Sequence, residues 1–75
     1  MHKNHSIMLY NNIGESIRKR RKELGITQPH LAELANVNTN TLYRTERGIG
    51  NPSLEVLCKL AEALGMELKL EVKKK

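Results

Sequence analysis

Apolar positions divide the chain into short helical stretches and one alternating stretch. Ile13, Ile17 and Leu24 fall on one face of a helix over 12–24, with Arg20 and Arg21 between them. Asn11 or Asn12 is its expected cap and Gly25 its stop, since glycine takes the left-handed conformation that ends helices. Thr27 caps a second helix over 28–35, with Pro29 in the first turn, where a missing N–H is harmless. Its expected apolar face is Leu31, Leu34 and Ala35. After a brief turn at Asn36 and Val37, Asn38 caps a third helix that holds Thr41, Leu42 and Thr45 and ends at Gly48.

Helix four follows the loop IGNP, with either Asn51 (Pro52 following) or Ser53 as cap; the sequence leaves both open. Leu54, Leu57, Cys58, Leu60, Ala61 and Leu64 form its expected buried stripe, closed by Gly65. The period then changes. Met66, Leu68, Leu70 and Val72 alternate with Glu67, Lys69, Glu71 and Lys73, the pattern of a half-buried strand. A lone strand leaves its backbone N–H and C=O groups unpaired, so it needs a partner. The simplest partner is the same strand of a second copy, antiparallel about a two-fold axis; SIMLY, at residues 6–10, is the competing strand. The expected organisation is an N-terminal arm at 1–11, a helical domain at 12–65, and a dimerising strand with a basic tail at 66–75.

Composition narrows the function. At 75 residues the chain is one small domain, and its single cysteine, Cys58, excludes an internal disulfide and a Cys/His zinc site. Cys58 reads as a small core residue. His2, His5 and His30 read as tail or surface residues. No apolar run approaches a membrane span, and the longest near the start is the four residues 7–10, so a cytoplasmic protein without membrane attachment is expected. Asp is absent, and Glu55 and Glu62 are not arranged as a general acid and base. Without a Gly-rich phosphate loop or a Ser/His/Asp constellation, neither an enzyme nor a cofactor is expected.

The net charge is +5, concentrated in two blocks: Arg18, Lys19, Arg20, Arg21 and Lys22, then Lys73, Lys74 and Lys75. Clustered cations suit a polyanion partner or a solvated face, and contiguous helix residues cannot all face DNA. The informative stretch is 27–48, TQPHLAELANVNTNTLYRTERG. Two short helices join through a tight turn, and the second has small polar residues at its start and cations near its end. A major groove admits one such helix, with short hydrogen-bonding side chains near its start meeting base edges. Thr39, Asn40, Tyr43 and Arg44 meet that description, while Leu42 faces inward.

The chain resembles the Cro/C1-type (XRE-like) helix-turn-helix family in IRKRRKELGITQ, LAELA, TLYRTERG and NPSLEVLCKLAEALG, in that order. The resemblance implies a mainly α, lambda-repressor-like bundle of four helices, here followed by a C-terminal β-strand pairing across a dimer. It implies base reading by Thr39, Asn40 and Arg44, flanked by Asn38 and Tyr43. It also implies phosphate contacts from Gln28, Arg47 and the backbone around Asn51 and Ser53. Glu46 resembles the glutamate that pairs with a helix-one arginine, here Arg21. Three positions depart from the pattern: Pro29 removes a backbone donor, Arg20 stands where an aliphatic residue is common, and Thr45 stands where the family buries an apolar one. A strand in place of the fifth helix resembles HipB-like antitoxins. The expected function is sequence-specific binding of duplex DNA at a palindromic operator by a homodimeric repressor, with a toxin protein as further partner in the antitoxin version. The alternative is a protein-interaction module on the same fold without DNA binding.

Overall fold

The computed structural model describes residues 5–69, with side chains from Asn12 onward. Four helices follow one another: α1 (His5–Glu23), α2 (Gln28–Ala35), α3 (Thr39–Glu46) and α4 (Leu54–Leu64). Helices α1 and α2 each pack against both α3 and α4. Their shared core is Ile17, Leu31, Ala32, Ala35, Leu42, Leu57, Leu60 and Leu64. None of these helices is long and apolar enough to cross a membrane.

The caps are local chemistry. The Thr27 hydroxyl accepts the His30 N–H at 3.2 Å, Asn38 Oδ1 accepts the Asn40 N–H at 2.7 Å, and Ser53 Oγ accepts the Val56 N–H at 3.1 Å. Ser53 therefore resolves the choice of cap for α4. All four helices end the same way. The N–H groups of Ile26, Val37, Ile49 and Met66 each reach back five residues, to the carbonyls of Arg21, Ala32, Arg44 and Ala61. The residue before each is left-handed: Gly25, Asn36, Gly48 and Gly65. This is the Schellman arrangement, which satisfies carbonyls the helix itself leaves open. Ile26, Val37 and Met66 then pack against the core.

Several sequence expectations are corrected. Helix α1 begins by His5, so Asn11 and Asn12 lie inside it and residues 6–10 are helical, neither arm nor strand. A residue type that suits a cap does not force a start there. With no proline in that stretch, extending a nucleated helix by a turn is cheap. In α2 the buried face is Leu31, Ala32 and Ala35, and Leu34 is exposed. At 100° per residue Leu34 lies roughly a quarter turn or more from the centre of that stripe. The α4 stripe is also narrower than the run of apolar letters: Leu57, Leu60, Ala61 and Leu64 are buried, whereas Leu54 and Cys58 are exposed. Cys58 is thus not a core residue. Leu24 is half exposed because the turn at Gly25 aims Ile26 inward in its place.

No strand occurs among the described residues. Residues 66–69 are irregular, and Leu70 and Val72 of the expected dimer strand lie outside the described residues. A strand is defined by its ladder, and nothing described in this chain offers 66–69 an edge to pair with.

Gly14 sets how closely α1 crosses α3. It is buried, and a Cβ there would overlap the Thr45 carbonyl oxygen and lie 3.0 Å from that of Glu46. Two effects oppose each other in Gly14→Ala. Helix propensity favours alanine by about 1 kcal/mol, while forcing two backbones apart costs about 1–3 kcal/mol. Because the clash is with backbone rather than a flexible side chain, the clash wins. Gly14→Ala is expected to lower the thermal midpoint, and a midpoint raised above wild type would show that the crossing is looser than described.

Candidate nucleic-acid interface

Helix α3 is divided lengthwise. Leu42, Thr45 and Glu46 are buried, Asn40, Tyr43, Arg44 and Arg47 lie exposed on the opposite side, and Thr39 is exposed at the N-terminal end. The Thr45 hydroxyl donates to the Thr41 carbonyl at 2.8 Å, which lets a polar residue occupy a core position with its hydrogen bond made. Asn38 is committed as the cap of α3, its Oδ1 held by the Asn40 N–H.

The inner edge of α3 is held by a buried ion pair. Arg21 Nε and Nη2 donate to Glu46 Oε2 and Oε1 at 2.6 and 3.0 Å, a fork-to-carboxylate geometry, and Arg21 Nη1 donates to the Ile26 carbonyl at 2.9 Å. Both residues are more than nine-tenths buried. The hydrogen bond to Glu46 holds the Arg21 guanidinium above its ordinary pKa, outweighing the burial that pushes the other way. Gln28 completes the cluster, its Nε2 donating to Glu46 Oε1 at 2.9 Å. A carboxylate only accepts, so the amide nitrogen must face it, and one Nε2 hydrogen of Gln28 is left for another acceptor. Three helices therefore meet at one carboxylate, and Arg21 ties the α1–α2 turn to them.

The basic block of α1 divides by role. Arg21 is buried in the cluster. Arg20 donates from Nε to the Leu64 carbonyl at 2.9 Å and pairs with Glu23 at 3.4 Å, so its head closes the C-terminal end of α4. A cation at that end also complements the helix dipole. Arg18, Lys19 and Lys22 are exposed along one side of α1 beside Glu15 and Glu23.

Around the outer face of α3, the Arg47 guanidinium lies over the Tyr43 ring, 5.4 Å from its centre, which restrains both side chains. Arg44 folds toward the α3–α4 connection: a Cβ at Gly50 would stand 2.8 Å from Arg44 Nη2. Asn51 is exposed in that connection, and Ser53 is the α4 cap. His30 is exposed, and no group of His, Cys and Glu among the described residues gathers in a way that would hold a metal ion.

Sequence reasoning missed Arg20, Gly14 and Gly50. The contact between Arg20 and Leu64 spans 44 positions and carries no local signal. Gly14, a glycine inside a helical pattern with no end nearby, is itself a signal of close backbone approach.

Breaking a buried pair strands the surviving charge, at about 3–5 kcal/mol, whereas replacing both members with apolar groups of similar volume is often neutral. Arg21→Met or Glu46→Leu alone is therefore expected to unfold much of the population, and the double substitution to recover most of the loss. Denaturant titration of the four species checks this. Additive losses in the double variant would show that the two side chains act independently.

A family model described as helix-turn-helix matches residues 17–70. An uncharacterized HTH-type transcriptional regulator of Methanothermobacter thermautotrophicus is 47% identical over 51 residues, covering 68% of this chain and 74% of that protein. The immunity repressor protein of Bacillus phage phi105 is 43% identical over 56 residues, covering 75% of this chain and 39% of the repressor. A putative HTH-type transcriptional regulatory protein of Aeropyrum pernix is 37% identical over 54 residues, but the match covers only 16% of its length.

Proposed function

This chain belongs to the helix-turn-helix family that spans its residues 17–70, and from that premise we propose that it binds duplex DNA and regulates transcription, as a repressor that works in pairs. The observation that carries the reading is the lengthwise division of α3. Its inner edge is locked by Glu46, while its outer face presents Asn40, Tyr43 and Arg44, with Thr39 exposed at its N-terminal end. A helix presented this way can enter the major groove with its first turn toward base edges. Asn40 suits adenine and Arg44 guanine, because their donor and acceptor pairs match those bases. Arg47, the remaining Gln28 hydrogen and the backbone from Asn51 to Ser53 take phosphates. Names of relatives that include transcriptional regulators and a phage repressor support the same reading.

Pairing is the finer part of the proposal. Met66, Leu68, Leu70 and Val72 alternate with charged residues, and Leu68 is partly exposed. Antiparallel addition of this segment to its counterpart in a second copy pairs the backbone groups of both. In the antitoxin version the same chain also holds a toxin protein; the alternating C-terminal segment supports that version.

Selection from a random duplex pool should return a palindrome with half-sites about 34 Å apart. Arg44→Ala should cost about 1–3 kcal/mol and relax one base position, and Gln28→Ala should weaken all duplexes alike. Affinity should fall steeply with salt. Identical specificity profiles for the two variants would sink the division into readers and anchors. Absence of binding to any duplex at low salt would leave the protein-interaction alternative. For the pairing, Leu68→Glu with Leu70→Glu is expected to sediment as monomer, and an unchanged dimer would move the interface elsewhere.

A further inference from the structure

Arg44 is an exposed cation that forms no side-chain hydrogen bond or ion pair among the described residues. Its guanidinium nevertheless has a defined seat. A Cβ at Gly50 would come within 2.8 Å of Nη2, 3.4 Å of Nε and 3.5 Å of Cζ, so the Nε–Nη2 edge of the head group faces the bare backbone of Gly50. Gly50 holds φ at +81°, a conformation that side chains rarely adopt. A hydrogen bond and a recess also shape the place. The Ile49 N–H is bonded to the Arg44 carbonyl at 2.9 Å, so the connection starts from the same residue whose head it receives. A shallow recess of about 190 Å³ is lined there by Thr41, Arg44, Thr45, Ile49, Asn51 and Pro52.

We propose that Gly50 is a specificity-setting residue: by offering bare backbone, the α3–α4 connection fixes where the Arg44 guanidinium meets DNA. The argument rests on the reading of Arg44 as a DNA contact. A long, flexible side chain loses rotamer entropy when it is immobilised, and a seat formed before binding removes part of that cost. The seat works by shape rather than by a counter-ion, so the charge and the Nη1–Nη2 edge of the fork stay available to a guanine edge. Any side chain at position 50 displaces the head from this place.

The test is a double-mutant cycle on the full chain. Gly50→Asn is the main variant, since asparagine tolerates a left-handed backbone while adding the obstructing Cβ; Gly50→Ala is the second. Each is made with Arg44 present and in an Arg44→Ala background. Thermal melting confirms that each variant is folded at the assay temperature. Duplex selection and affinity for the wild-type preferred site are then measured. With Arg44 present, both substitutions should lower that affinity about tenfold and relax the base position that Arg44→Ala relaxes. In the Arg44→Ala background they should change neither. An equal loss in both backgrounds, or no loss in either, overturns the seat, because Gly50 would then act independently of Arg44 or not at all. If Arg44→Ala itself leaves affinity and profile unchanged, the reading of Arg44 on DNA fails, which is a different result from failure of the seat.

Discussion

A buried carboxylate must be paired, and in this domain that requirement organises three helices. Glu46 sits at the end of α3 and accepts two bonds from Arg21 of α1 and one from Gln28 of α2. Arg21 in turn holds the Ile26 carbonyl at the entry to the helix-turn-helix unit. In a chain with so small a core, a charged pair contributes less by net stability than by permitting one arrangement. Any slip of α3 along α1 separates charges that have no water to retreat to. Gly14 acts on the same contact from the steric side, since only a residue without a Cβ lets α1 come down on the carbonyls of Thr45 and Glu46. Charge and close approach thus fix the same crossing, and the outer face of α3 inherits its orientation from them.

What could be read from the sequence follows the range of each interaction. The caps at Thr27, Asn38 and Ser53 use bonds two or three residues long, so the residue types announce them. The stops at Gly25 and Gly65 are equally local. Burial was less legible, because it depends on which arc of a helix the neighbours cover. Leu34, Leu54 and Cys58 carry apolar letters but lie outside those arcs. The start of α1 was misplaced for another reason: Asn12 has the right chemistry for a cap, but the preceding residues have nothing that breaks a helix.

The same distinction separates the parts of the interface. The pairing of Arg21 with Glu46 spans 25 positions, and the family resemblance suggested it where periodicity did not. The resemblance also singled out Gln28, whose amide donates to Glu46. Arg20 stands where the family commonly has an aliphatic residue, and here its head closes the end of α4. The basic block that charge alone treated as one feature is three: an internal strut, a helix terminator, and an exposed group of Arg18, Lys19 and Lys22.

The four shared helix endings differ in one respect. After α1, α2 and α4 the residue that follows the left-handed position, Ile26, Val37 or Met66, is packed against the core. After α3 it is Ile49, which is 43% exposed. Three endings are therefore anchored into the interior, and lengthening the chain there would pull out part of the core. The α3–α4 connection carries no such anchor. It is the place where insertions and replacements leave the interior intact while altering the surface beside α3. Such a fold can vary one surface through a loop without renegotiating its stability.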